Sequence, residues 1–300
     1  MGLTTGIEWT DHTFNPWWGC TKVSPACGMP LKGHEDEPFG QCYAETGSER
    51  FGFKIWGQDA ERRFFGDKHW HEPFKWDTAA ACAGIRRRVF CGSMCDVMED
   101  RRDLDRLRGD LWQVIQSTPW LDWQLLTKRP QNYSRLLPER WIKGGLPRNV
   151  WLGTTVETQD YLWRVDALKA IPATIHFLSL EPLLGPLLPG LCLDGIEWAI
   201  TGGESGRGAR PSHPEWFRSV RDACQASGTA YFHKQWGEWG MTAEHGFGGR
   251  EHLPTYTFSH GDGTGTEMIR VGKKAAGAWL DGREWRQMPE GARMSEAVIR

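Results

Sequence analysis

No run of apolar residues in this 300-residue chain approaches the ~20 needed to cross a bilayer, which excludes a helical membrane span. Neither sign of charge is in excess. Against 38 Asp and Glu stand 36 Lys and Arg, a formal charge of −2, so no overall basic field holds a polyanion and any nucleic-acid contact has to be local. Cysteine is sparse, eight in the whole chain, too few for a secreted disulfide scaffold. The opening Met1-Gly2-Leu3-Thr4-Thr5-Gly6 lacks both the apolar core of a signal peptide and the Ser or Thr of a myristoylation site, so a cytoplasmic protein with no membrane partner is expected.

What is present is enough for one large barrel or two small domains: 39% of residues are hydrophobic, which fills a sizeable core. Tryptophan is abundant, at 18 residues; large core area with an N–H that finds a partner explains this more simply than a base-stacking surface.

From about residue 88 one phrase repeats: a short apolar, β-branched or aromatic run, a polar turn, then a helical stretch. Strands are expected at Arg88 to Cys91, Trp123 to Leu126, Val150 to Gly153, Ile175 to Leu178, Trp198 to Thr201 and Ala230 to His233. Helices are expected from Asp103 to Ser117, Gln159 to Ala170 and Pro214 to Ser227, with apolar residues at three-to-four spacing, and a further one within residues 43–56. Ser212-His213-Pro214-Glu215 fits a capping box, and Gly228 a left-handed stop. Such alternation implies an α/β fold with a parallel sheet. Six or more units favour a (β/α) barrel, closed or partial and related to the TIM barrel, over an open doubly wound sheet. The barrel is expected over residues 1–237, with an insertion at about 57–85, and residues 238–300 as a C-terminal extension packed on it.

A polar motif follows each expected strand: Gly92-Ser93-Met94-Cys95-Asp96, Thr127-Lys128-Arg129-Pro130, Thr154-Thr155-Val156-Glu157, Ser179-Leu180-Glu181-Pro182, Gly202-Gly203-Glu204-Ser205 and Lys234-Gln235-Trp236. In parallel barrels the carboxyl ends of the strands meet on one face, so these motifs predict one composite site. Exposed turns are polar in any case, which accounts for Gly and Ser but poorly for Lys128, Glu157, Glu181, Glu204 and Lys234. The glycine motif lacks the Walker lysine and the dinucleotide spacing; close backbone approach to a ligand is its better use.

Cys20, Cys27 and Cys42 lie in a loop, residues 19–43, that Gly and Pro keep irregular. Three thiolates would leave one iron of a [4Fe–4S] cluster open to the amino and carboxylate groups of S-adenosylmethionine (AdoMet). The spacing equally admits structural zinc with His34 as fourth ligand, or buried thiols. Cys91 and Cys95 bracket the first rim motif and read as packing before a second metal site, as do Cys82, Cys192 and Cys224.

Ile7-Glu8-Trp9-Thr10-Asp11, Asn15-Pro16, Gly19-Cys20-Thr21-Lys22-Val23-Ser24-Pro25 and Cys42-Tyr43-Ala44-Glu45 resemble a phage and prophage family of uncharacterised, radical SAM-like proteins. Leu125 to Pro130, Leu178 to Gly185, Gly202 to Gly206, Lys234 to Gly237 and Arg270 to Gly277 resemble its later motifs, so the likeness spans nearly the whole chain. That family usually spaces its cysteines C-x6-C-x2-C; here fourteen residues separate Cys27 from Cys42. Each doubling of loop length adds only ~0.6 kcal/mol of closure entropy, so the extra residues can bulge outward. The resemblance implies a [4Fe–4S] cluster on Cys20, Cys27 and Cys42, AdoMet as cofactor, an electron donor such as flavodoxin or ferredoxin, and the host cytoplasm as location.

On that basis Tyr43 is expected against the cluster, and Ser93, Asp96, Glu157, Glu181, Gly202, Gly203, Glu204 and Ser205 around AdoMet. Lys128, Arg129, Lys234, Gln235 and Trp236 are assigned to substrate, because cations, an amide and an indole suit an anionic heteroaromatic such as a nucleotide or nucleic-acid base. A non-catalytic zinc protein binding a host protein or nucleic acid is the second reading. A metal-dependent hydrolase is the third, weakened because no rim motif pairs histidines and His176 and His233 fall within strands.

Overall fold

The computed structural model describes residues 5–36, 39–245 and 252–290; residues 1–4 of the opening segment, 37 and 38 of the cysteine loop, and 246–251 and 291–300 of the expected extension lie outside them. Seven strands form one sheet in chain order, each parallel to the next: β1 (His12–Phe14), β2 (Arg87–Cys91), β3 (Leu121–Thr127), β4 (Val150–Thr155), β5 (His176–Leu180), β6 (Trp198–Gly202) and β7 (Ala230–Gln235). Every residue of β4, β5 and β6 is buried, as expected of parallel strands covered on both faces. An unpermuted order with crossovers of one hand keeps the helices on one face, so the sheet curls into a half-barrel around the other. The fold is therefore an α/β partial barrel.

The crossovers carry α1 (Tyr43–Arg50), α2 (Asp67–Trp70) and α3 (Glu72–Ala83), then α4 (Asp105–Gln116), the short α5 (Tyr133–Leu136) and α6 (Glu139–Gly144), α7 (Trp163–Lys169) and α8 (Pro214–Ser227). Their apolar faces meet the outer sheet face through Leu111, Ile115, Val165, Leu168, Phe217 and Val220 against Trp123, Leu125, Leu152, Leu178 and Tyr231. The concave face is filled by a separate cluster of Trp9, Phe90, Trp151, Ile175, Phe177, Trp198, Ile200 and Phe232. The tryptophans of the cluster are thus core residues rather than an exposed stacking surface.

The six expected strands all form. β1 was not expected: its three residues are too few to show alternation, and pairing with Val89 to Cys91 of β2 holds them. α3, inside the expected insertion, touches β2 and β3 as the first crossover helix. At α8 the capping box is replaced: His213 is the N-cap and its Nδ1 accepts from the Glu215 amide, while Ser212 Oγ donates to Leu183 O. Gly228 ends that helix at φ 76°, as read from the sequence.

The chain beyond β7 adds β8 (Gly240–Met241), α9 (Thr242–His245), β9 (Thr255–Ser259) and β10 (Gly265–Ile269), then α10 (Lys273–Ala276) and a β11 (Trp279–Leu280) to β12 (Arg283–Glu284) hairpin. The following Trp285 to Gln287 runs antiparallel along β7, where the His233 amide donates to Trp285 O and the Gln287 amide to Tyr231 O. Met241, Met268, Ala276 and Leu280 join the main core, so this segment packs on the barrel.

Candidate active site at the carboxyl ends of the strands

A cavity of about 450 Å³ opens where the strand ends and the cysteine loop meet. Its floor is the top of the aromatic interior, Trp9, Phe90 and Leu126; its walls are Ser93, Asp96, Thr127, Lys128, Arg129, Ser179, Glu181, Gly203, Glu204, Ser205 and Lys234; and its mouth carries Cys20, Cys27, Cys42 and Tyr43. Residues more than 200 positions apart in sequence converge because every rim motif follows a strand of the same parallel sheet.

Two sets of ion pairs hold the cysteine loop on this rim. Arg129 donates from Nη1 to Asp96 Oδ2 at 2.8 Å and from Nη2 to Thr21 O at 2.7 Å, and Nη1 approaches Cys20 Sγ at 3.7 Å. Beside it the buried Arg62 forks onto both oxygens of Glu99 at 2.8 and 3.1 Å and donates to Thr21 Oγ1 and Gly57 O. On the other side Arg210 forks onto Glu204 at 2.6 and 2.8 Å and donates to Pro25 O and Met29 O. Glu204 also packs so closely on Gly40 that a Cβ there would come within 2.2 Å of the carboxyl carbon. Breaking one member of such a buried pair costs about 3–5 kcal/mol, so the loop is fixed to the barrel rather than draped over it.

Burial favours the protonated form of two of these thiols, Cys20 and Cys42. Burial pushes Cys20 up to about 12, against the opposing pull of Arg129, and burial raises Cys42 as well. Binding a metal or cluster would displace those protons. Among the described residues no three His, Cys, Asp or Glu side chains converge on a single point. His34 is exposed and lines no part of the cavity. Cys20, Cys27 and Cys42 all line this one cavity, so the donor set present there is three thiols.

Tyr43 reaches the same mouth: its side chain is largely exposed, and its hydroxyl donates to Ser93 O at 2.5 Å. Asn15 fixes the Ser93 loop, donating to Ser93 Oγ at 2.9 Å and accepting from the Met94 amide at 2.7 Å. Lys234 Nζ meets Glu181 Oε1 at 2.6 Å across the cavity wall. Gly203 backs onto the β7 loop, where a Cβ would lie 1.9 Å from Trp236 O; the glycine serves backbone-to-backbone contact as well as a ligand-facing wall.

Several residues expected to touch ligand stand behind the wall. Glu157 is fully buried and paired with Arg164 at 2.9 Å; Gln235 donates to Gly203 O and Glu181; Trp236 is buried and donates its indole N–H to Trp279 O; Gly202 lies in β6 below the rim. Each was placed by its motif, but a motif fixes a place in the chain and not the partner that takes up the side chain's polar atoms. Arg129 and Glu204 do line the cavity, yet their polar atoms are committed to the loop. Arg210, Asn15, Trp9 and Lys273 contribute without having been singled out; only the Asn15 and Trp9 motifs and the Arg270 to Gly277 motif had marked their neighbourhoods.

A half-barrel with a thiol-bearing loop fixed over its polar rim is the class of protein that this fold and site define. The chain belongs to the family described as "Protein of unknown function (DUF5131)", which it matches over residues 4–289. No curated protein matches it. Among solved structures it is similar to a cysteine-to-serine mutant of spore photoproduct lyase, with TM-score 0.45 and 11% identity over 90% of this chain and 72% of that one. It is similar to the same degree, TM-score 0.45 and 11% identity, to a double mutant of that lyase with bound AdoMet and dinucleoside spore photoproduct, over 90% of this chain and 71% of that one.

Proposed function

We propose that this chain is a radical SAM enzyme acting on a nucleotide or nucleic-acid base. The observation that carries the reading is the presence of Cys20, Cys27 and Cys42 on the mouth of one cavity, above the polar strand ends of a parallel half-barrel. Those three residues would hold a [4Fe–4S] cluster with one iron left for AdoMet. When bound, the pair supplies one-electron cleavage of the sulfonium–C5′ bond, giving methionine and a 5′-deoxyadenosyl radical that takes a hydrogen atom from substrate. The electron would come from a donor such as flavodoxin or ferredoxin.

The chain's own residues prepare that space. Arg129 and Arg210 fix the two flanks of the cysteine loop, and Asn15 and Tyr43 fix the Ser93 turn. The Glu181–Lys234 pair offers a carboxylate and an ammonium at the wall for an amine or carboxylate group. The closed aromatic floor keeps bulk water from the lower half of the cavity, which protects a reactive radical from quenching. The test is anaerobic iron–sulfur reconstitution, an absorbance spectrum, and a dithionite assay for 5′-deoxyadenosine. A brown protein that cleaves AdoMet is expected; a colourless one with a single tightly held zinc overturns the reading in favour of a zinc-bearing binding protein.

A further inference from the structure

The charges around the cavity do not balance. Its three wall carboxylates are each already paired: Asp96 with Arg129 at 2.8 Å, Glu181 with Lys234 at 2.6 Å and Glu204 with Arg210 at 2.6 Å. Lys22, also on the wall, is paired with Glu45 at 2.7 Å. Two ammonium groups remain. Lys128, at the end of β3, and Lys273, in α10 of the C-terminal segment, both line the cavity, and neither ammonium has a hydrogen bond or ion pair among the described residues. Lys128 faces the Cys27 and Cys42 thiols and the Glu157 carboxylate, and that carboxylate is spent on Arg164 at 2.9 Å. A chain whose formal charge is −2 thus carries two uncompensated cations at the cavity that Cys20, Cys27 and Cys42 line.

Cofactors would not cancel this excess. A [4Fe–4S]²⁺ core on three thiolates carries a net charge of about −1 and AdoMet about +1, so together they leave the balance where it was. Lys273 is also held in place. The amide of Gly272 donates to Glu238 O, the Glu238 carboxylate accepts from the Gly206 amide at 2.9 Å, and Arg270 donates to Gly206 O at 2.9 Å. These bonds pin the segment carrying Lys273 to the loops that follow β6 and β7.

We propose that Lys273 and Lys128 form the phosphate subsite of this cavity, and that the substrate is a nucleoside phosphate, free or within a strand, whose base lies toward the aromatic floor. This rests on the reading above for its base-modifying chemistry but not for its charge argument. A phosphate monoester carries about −1.5 to −2 at pH 7, which matches two unpaired cations, whereas a phosphodiester within a strand carries about −1 and matches them only where two successive phosphates each meet one lysine. The floor of Trp9, Phe90 and Leu126 suits a planar base and no second charge.

The experiment is calorimetric titration of the full chain with the 5′-nucleoside monophosphates, the matching nucleosides and a short single-stranded oligodeoxynucleotide, before and after cluster reconstitution. At least one phosphate-bearing probe is expected to bind about fivefold or more tightly than its nucleoside, with that advantage lost in Lys273→Ala and kept in Lys273→Arg. Binding of the monophosphates points to a free nucleotide, and binding of the oligonucleotide alone to a strand. Lys273 is exposed and its substitution leaves the fold intact, so an unchanged affinity in Lys273→Ala, or equal affinity for nucleoside and phosphate, overturns the subsite. A chain that takes no cluster but still prefers the phosphate keeps this inference and sinks the radical SAM reading; one that loads its cluster without that preference does the reverse.

Discussion

Asp96 accepts from Thr127 Oγ1 at 2.6 Å, the Met98 amide at 3.0 Å, the Lys128 amide at 3.1 Å and Arg129 Nη1 at 2.8 Å, so one carboxylate ties the β2 turn to the end of β3. Burial alone would raise its pKa; Arg129 and the three other donors outweigh burial and hold the carboxyl below its ordinary range. Asp96→Asn is expected to cost about 3–5 kcal/mol at neutral pH, read by urea unfolding. Because the folded value lies below the unfolded ~3.9, the stabilisation is complete above that pH and is lost as pH falls through the folded value. The gap between the native chain and Asp96→Asn should therefore close in acid; a gap constant from pH 7 down to pH 3 would contradict the assignment. Arg210→Ala, at the other flank, leaves the buried Glu204 unpaired and should lower the melting temperature, speed protease cleavage within residues 25–36 and lower iron bound per chain after reconstitution. Asp96 and Glu204 were both legible as rim carboxylates, yet their roles were not, because the partners that define them, Arg129 and Arg210, are long side chains whose direction no spacing reveals.

At the scale of elements, the strand-turn-helix phrase made β2 to β7 readable, since each carries a short buried run of apolar, β-branched or aromatic residues followed by turn chemistry. β1 and α3 escaped for opposite reasons. β1 has three residues and exists through its partner strand, whereas α3 buries only Pro73, Trp76 and Ala80, too few to print a period. The concave face was also hidden, because strands buried on both sides show no alternation. There Trp198 is the common neighbour, with ring centroids at 6.0 Å from Trp9, 6.3 Å from Trp151, 6.0 Å from Phe177 and 6.1 Å from Phe232. Its indole N–H donates to Gln287 O at 3.0 Å, so it also fastens the C-terminal strand. Trp198→Ala is expected to destabilise by about 3–5 kcal/mol through the cavity it leaves, whereas Trp198→Phe, which keeps a ring but loses the hydrogen bond, should cost less than half of that. Chemical denaturation of the two variants separates packing from the bond; equal losses would show that the Gln287 contact, and not the interior, governs the site.

At the scale of the whole molecule, a half-barrel leaves two sheet edges, and β7 would present a free row of backbone groups if the chain stopped at the extension's start. The C-terminal segment covers that edge: the His233 amide meets Trp285 O, the Gln287 amide meets Tyr231 O, and the Trp236 indole reaches Trp279 O. Asp281 adds ion pairs to Arg218 and Arg221 of α8, anchoring the hairpin to the helix that overlies β7. Sequence reading assigned the tail to packing but had no means to find its register, since β11 and β12 are two residues each and the strand-like Trp285 to Gln287 carries no alternation. Truncation after Gly277 retains Lys273 and the cavity wall but strips this cover. The truncated chain is expected to keep its helical circular dichroism while self-associating through β7, visible as concentration-dependent growth in light scattering. Adding Lys in place of Tyr231 would not test this, because that side chain is buried beneath α8. The Ala230 amide donates inward to Glu197 O, so the donors that truncation uncovers along the β7 edge are the amides of Tyr231 and His233. A truncated chain that stays monomeric at high concentration would mean that the edge is protected by something other than the C-terminal strand.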